Sequence, residues 1–122
     1  MGTTGFGEEQ ARLGEFAADG LFEMANLYPR TTGLPMTVWV SPRGGARHDV
    51  RVKVCRVPGD RMVIEDAASV AVRPEPVLVE GELDTASLAA VSSWIRLNQD
   101  VLVAYWDGTA DTAELVQRLQ RV

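Results

Sequence analysis

An alternating stretch at residues 47–57 constrains the fold of this chain more than any other feature. Valines stand at every second position from Val50 to Val54, and charged residues fill most of the positions between them. A period of two is typical of a β-strand with one face in the core and one face in water. We predict that His48 lies with the valines on the core face. The open face is predicted to carry Arg47, Asp49, Arg51, Lys53 and Cys55.

The residues around this strand predict an antiparallel sheet of three to four strands across residues 36–80. Residues 36–40 are rich in β-branched and aromatic side chains, and Pro58 followed by Gly59 matches a tight turn. Short apolar runs follow, and Pro74 places the last of them at a sheet edge. The predicted strands cover residues 36–40, 47–57, 62–65 and 69–73, with 77–79 as an extension.

Apolar residues three or four positions apart predict helices before and after the sheet region in the sequence. The first covers residues 8–28, where Pro29 ends it, and the second covers 85–106, just before Gly108. A capping pattern at Asp111 begins a third helix over residues 112–121. The predicted fold class is therefore α+β, with a flexible start at residues 1–7 and one domain from 8 to 122.

Composition excludes several classes of protein. The chain has 122 residues, 46% of them apolar, which is enough for one folded domain. One cysteine and one histidine exclude a disulfide framework and a cysteine- or histidine-rich metal site, so we expect no metal and no cofactor. No apolar run approaches the ~20 residues of a membrane span. We therefore expect a cytoplasmic protein that makes no contact with a membrane.

A basic stretch stands out in an otherwise acidic chain. Residues 30–73 carry a net charge of +4, whereas the rest of the chain carries −9. Within this stretch, paired glycines flanked by cations can form a small nest for an anion. The predicted anion-binding or nucleic-acid-binding residues are Arg43, Gly44, Gly45, Arg47, Arg51 and Lys53. The alternatives are a solvated hairpin, or a sheet face that an acidic helix of the same chain covers.

His48 is the one side chain whose ordinary pKa suits general acid–base work near neutral pH. Beside so many cations it fits metal-free RNA cleavage, in which a base removes a hydroxyl proton and cations hold the phosphate. The alternative interpretation is a structural histidine in the core. Cys55 has no second histidine with which to form a catalytic triad. We therefore expect no enzymatic activity and no catalytic residue, with His48 as the alternative.

The predicted N-terminal helix is apolar on two sides. A helix of this kind usually contacts two partners, and an exchanged helix is a simple route to a two-fold dimer. We therefore predict a homodimer in which this helix contributes to the interface. The predicted interface residues are Leu13, Phe16, Phe22 and Met24.

Two segments resemble a known family. One covers residues 34–54, and the other, 94–108, carries a W-x-x-x-N-x-x-x-L-x-x-x-W helix formed by Trp94, Asn98, Leu102 and Trp106. Together they resemble the small bacterial proteins of the domain of unknown function 4160, and the likeness covers residues 34–120. The resemblance implies a protein partner in a toxin–antitoxin-like gene pair. We thus predict a non-enzymatic protein-binding or regulatory module, with RNA binding or RNA cleavage through the hairpin 41–56 as the alternative.

Overall fold

The computed structural model describes residues 24–60, 63 and 66–122, and it shows an α+β fold. Five strands and three helices follow one another along these residues. They are β1 (Ala25–Leu27), α1 (Pro29–Thr32), β2 (Met36–Val40), β3 (Arg51–Pro58), β4 (Ala67–Ala71), β5 (Val77–Glu80), α2 (Thr85–Asp107) and α3 (Thr112–Arg118). The predicted antiparallel sheet and the helices after it are therefore present.

The sheet is a meander in which each strand pairs antiparallel with the next, in the order β1-β2-β3-β4-β5. It has five strands, whereas the sequence predicted three to four. β1 was not predicted, and it occupies residues predicted to end the N-terminal helix, whereas β5 corresponds to the predicted extension at 77–79. Of the predicted strand 62–65 the structure describes only Val63, which belongs to no strand. Ala25 and Leu27 are buried and lie opposite Val40 and Val38, so this end of the predicted helix 8–28 is wrong. The earlier part of that helix lies outside the described residues.

We call the two sides of the sheet the inner face and the outer face. The inner face carries the valines of the alternating pattern, namely Val38, Val52, Val54 and Val70. The outer face carries Trp39, Lys53 and Ser69, which lie opposite one another on β2, β3 and β4, together with Cys55. Every residue of β2 is buried, which means that the sheet is covered on both sides there.

The main core lies between the inner face and α2. The helix begins at Asp84, whose carboxylate accepts a hydrogen bond from the Ser87 backbone N–H at 2.7 Å, and it ends at Gly108, whose φ of 84° favours glycine. Its buried side chains pack with the valines of the sheet, and Leu115 of α3 joins the same core. The large helix residues in this core are Val91, Trp94, Ile95, Val101, Leu102, Tyr105 and Trp106.

Asn98 connects the middle of α2 to the residues that follow α3. Its amide nitrogen donates to the Trp94 carbonyl at 2.9 Å and to the Gln120 carbonyl at 3.0 Å, and its Oδ1 accepts from the Gln120 N–H at 2.7 Å. Two residues later, the Val122 N–H donates to the Thr32 carbonyl at 2.9 Å. All four residues of the tryptophan–asparagine–leucine–tryptophan pattern are buried, so in this fold the pattern builds the core.

Candidate functional site

The predicted basic hairpin forms a surface loop, residues 41–50, followed by β3. The loop contains a tight turn in which the Ala46 N–H donates to the Arg43 carbonyl at 2.9 Å. Gly44 occupies this turn with a φ of 51°, a conformation that favours glycine. Gly44 and Gly45 are exposed, and a side chain built on either would meet nothing nearby. Their backbone is therefore accessible to a ligand.

The C-terminal end of α2 holds this loop at two points. The Arg43 N–H donates to the carbonyl of Trp106 at 3.0 Å, and the His48 ring lies against the Trp106 ring with centroids 5.6 Å apart. Trp106 is itself buried in the core. The loop is therefore fixed to the helix as well as to the strands on either side of it.

His48 is exposed, so the prediction that it lies on the core face is wrong. Strand β3 begins only at Arg51, and the alternation before that residue is not β-structure. The Nδ1 atom of His48 is 2.7 Å from the Asp49 carbonyl oxygen. Because a carbonyl can only accept, Nδ1 carries the proton in this contact. A role for His48 in catalysis stays a prediction.

Asp49 and Arg73 join the loop to the segment between β4 and β5. The Nε and Nη2 atoms of Arg73 each donate to one carboxylate oxygen of Asp49, both at 2.9 Å. These hydrogen bonds, together with one from the Val50 N–H, lower the pKa of Asp49 from 3.8 to about 2. The loop therefore contains a carboxylate close to its own cations, and that carboxylate is already hydrogen-bonded to Arg73.

The structure separates the predicted cationic residues into free and engaged ones. Arg43 and Arg47 are exposed, and neither side chain makes an ion pair or hydrogen bond with another described residue. Arg51 lies 3.3 Å from a carboxylate oxygen of Glu80. Lys53 is exposed on the outer face, beside Trp39. Since Arg47 is in the loop, the predicted stripe of three cations along one strand is not assembled.

The outer face is not the open, wet face that the alternation predicted. Cys55 is fully buried on it, and Trp39 is 2% exposed. Only part of β3 reaches solvent on this side, chiefly at Lys53. The prediction that Cys55 shares a solvent-exposed face with the cations is therefore wrong.

Of the four predicted interface residues, the structure describes one. Leu13, Phe16 and Phe22 lie outside the described residues. Met24 is half-buried and borders an open groove of about 600 Å³, together with Pro42, Tyr105 and Thr112. The groove is lined by the residue before β1, the basic loop, the end of α2 and the start of α3.

An exposed apolar strand at the end of the sheet was missed as a candidate site. β5 pairs only with β4, and its Val77 and Val79 are 54% and 45% exposed. Val77 lies opposite Ala71 on the outer face, and the half-buried Leu78 lies opposite Val70 on the inner face. The register shifts after Leu78, so Val79 has no paired residue and Glu80 lies opposite Ser69. The alternation of residues 77–79 indicated a strand but did not show that its valines would remain exposed.

Comparison with known proteins identifies no relative: no family model, curated protein or solved structure matches the chain. Within residues 24–60, 63 and 66–122, no three His, Cys, Asp or Glu side chains are placed to hold a metal ion together. None of the described helices has the length and apolar character needed to cross a membrane.

Proposed function

We propose that this protein is a non-enzymatic binding module that takes up an extended segment of another protein along β5. The observation that carries the proposal is the exposure of Val77 and Val79 on a strand at the end of the sheet. Soluble proteins usually protect such edges with charge, proline or a covering element because an open edge pairs readily with other chains. Two neighbouring exposed valines on an edge are therefore suited to a partner.

An added strand would use both the backbone and the side chains of β5. Its outer N–H and C=O groups would pair with the backbone of the partner, and alternate side chains of the partner would contact Val77 and Val79. The strand is four residues long, which fits a short peptide motif. Pro74 and Pro76 precede it and limit the length of backbone that can be paired.

The charges near β5 suggest which segments would bind. Glu80 ends the strand and pairs with Arg51, and Glu75 lies 3.6 Å from Arg96, so these two carboxylates on either side of the valines are already engaged in pairs. A β-branched or aliphatic segment of low charge therefore fits this edge better than a highly charged one. The resemblance to the domain of unknown function 4160 adds the hypothesis that a neighbouring gene encodes the partner.

A capture experiment with matched variants tests this function. Tagged protein is used to isolate partners from its native host, with the unmodified chain, Val79→Lys and Val116→Lys compared side by side. Val116 is 49% exposed on α3 and far from β5 in the sequence, so it provides a control of the same residue type. We expect partners with the unmodified chain and with Val116→Lys, and their loss with Val79→Lys. Equal retention by both variants would contradict binding at β5.

The basic loop supports a second candidate function, which is the binding of RNA or another phosphate-bearing ligand. The specific observation is that the exposed Arg43 and Arg47 make no salt bridge with a described carboxylate and lie next to the accessible backbone of Gly44. Exposed arginines are suited to phosphate groups. RNA cleavage through His48 would additionally require Nε2 to accept a proton from the substrate.

A further inference from the structure

A small pocket lies between α2 and the end of α3. It has a volume of about 200 Å³ and is partly open to solvent. Pockets that take drug-sized ligands usually have volumes of about 300–1,000 Å³, so this one suits a smaller molecule. The residues that line it are Leu97, Asn98, Asp100, Val101, Arg118 and Gln120.

Two hydrogen bonds between Asn98 and Gln120 hold the two walls of this pocket together. The Asn98 Nδ2 atom donates to the Gln120 carbonyl at 3.0 Å, and Oδ1 accepts from the Gln120 N–H at 2.7 Å. A side-chain carbonyl oxygen can accept two hydrogen bonds, and Oδ1 accepts only this one from the described residues. Asn98 is 3% exposed. The wall therefore contains a fixed acceptor with capacity for one more donor.

Asp100 and Arg118 bring opposite charges to the pocket from different helices. Both side chains are exposed, and neither forms an ion pair or hydrogen bond with the other or with another described residue. A carboxylate is suited to an ammonium group, and a guanidinium can donate to both oxygens of a carboxylate. A ligand with a single charge would engage only one of these residues, whereas a zwitterion engages both.

Leu97 and Val101 give the pocket an apolar side. They are four residues apart on α2, which places them on the same side of the helix. Val101 is 4% exposed, whereas Leu97 is 43% exposed. A ligand that covers Leu97 removes apolar surface from water, which favours binding. The pocket is therefore suited to an aliphatic group as well as to two charges.

We propose that this pocket binds a free α-amino acid with an aliphatic side chain. Asp100 and the Oδ1 atom of Asn98 accept hydrogen bonds from the ammonium group, and Arg118 donates to the carboxylate. Leu97 and Val101 contact the aliphatic side chain. The proposal does not rest on the binding of an extended segment along β5, because no residue of that strand lines the pocket.

Titration of the isotope-labelled full-length chain with leucine, followed by NMR, tests the site. We expect saturable shifts of the backbone amides at residues 97–101 and 118–120 at leucine concentrations up to the order of 10 mM. N-acetyl-leucine lacks the ammonium group and leucine amide lacks the carboxylate, so each should bind at least about tenfold more weakly. Equal binding of leucine and either blocked form would overturn the proposal, as would the absence of saturable shifts at these residues. The blocked ligands leave the protein unchanged, so the result does not depend on the folding of a variant.

Substitutions assign the two charges to their residues. Asp100→Asn should weaken leucine binding by about tenfold and remove the advantage of leucine over N-acetyl-leucine. Arg118→Gln should remove the advantage of leucine over leucine amide in the same way. Glu82→Gln and Arg47→Gln are matched controls, because both residues are exposed, lie outside the pocket and have no ion pair with a described residue. These controls should change the dissociation constant by less than about twofold. Losses as large in the controls as in the pocket variants would contradict the assignment.

Discussion

The imidazole of His48 lies on the indole of Trp106, with ring centroids 5.6 Å apart and an angle of 31° between the ring planes. The carbonyl of the same tryptophan accepts the Arg43 N–H at 3.0 Å. One residue at the end of α2 therefore holds the basic loop at two points. The position of the exposed cations depends on the helix as much as on the strands that the loop connects.

Loss of the Trp106 side chain should destabilise the protein far more than loss of the His48 side chain. Trp106→Ala removes a buried aromatic residue, which typically costs about 3–5 kcal/mol of unfolding free energy. His48→Ala removes one exposed ring contact, and we expect a cost below about 1 kcal/mol. Urea denaturation of the two variants measures the difference. Equal losses would show that the histidine is itself part of the core.

Replacing Asn98 by alanine should lower the free energy of unfolding by about 1–3 kcal/mol. The substitution leaves the Gln120 N–H and carbonyl without their buried partner. Asn26→Ala is a matched control because Asn26 is exposed on β1 and makes no side-chain hydrogen bond with a described residue. In thermal or urea unfolding, this control should have nearly the same free energy of unfolding as the unmodified protein. A similar loss in both variants would contradict a special role for Asn98.

The Asp49–Arg73 pair should make stability depend on pH in the acid range. The pKa of Asp49 is lowered to about 2 in the folded state, so its contribution is fully present above the unfolded pKa of about 4. It is lost as the pH falls from about 4 through about 2. Because both side chains are largely exposed, water screens the pair and the effect is expected to be small.

Arg73→Gln should reduce stability at neutral pH, and the difference from the unmodified protein should diminish as the pH approaches about 2. Arg47→Gln is the control, since this guanidinium has no ion pair among the residues that the structure describes. Urea midpoints measured across the acid range test the prediction. A difference that stays constant down to the lowest pH would show that Arg73 acts through packing instead.

The alternative RNA-binding function makes a prediction about salt. If Arg43 and Arg47 contact phosphates, replacing both by glutamine should weaken binding of a single-stranded RNA and reduce the salt dependence of the affinity by about two phosphate contacts. Arg96→Gln, on α2, removes one positive charge from another surface and should have little effect. Fluorescence anisotropy at several salt concentrations provides the measurement. No binding of the unmodified protein at low salt would rule the function out.

The sequence predicted those parts of the fold that depend on local pattern. Alternation identified β3, and Gly108 marked the end of α2, because strand period and helix termination are properties of neighbouring residues. The pattern failed at Ala25 and Leu27, which also fit the spacing of an amphipathic helix. Pairing with β2 decides their conformation, and a pairing partner cannot be read from the segment itself.

The candidate site was less predictable, because its position depends on contacts between distant parts of the chain. The alternation of β3 continues back to His48, but β4 pairs with β3 only as far as Arg51, so the strand ends there and the histidine is free to turn toward Trp106. Alternation also shows that the two faces of a strand differ, but it does not show whether other parts of the fold pack against each face. For this reason Cys55 was expected in water and is buried.

The connection between Asn98 and Gln120 has a consequence for synthesis of the protein on the ribosome. The strands β2, β3 and β4, which carry the inner valine face, are synthesised before α2, the helix that covers this face and ends at Asp107. Gln120, which hydrogen-bonds to Asn98 of that helix, is synthesised later still. Until then the nascent chain presents an apolar sheet to the surrounding cell. Such exposed surface aggregates or recruits chaperones. The rate at which residues 81–122 are translated therefore governs how long the chain remains vulnerable.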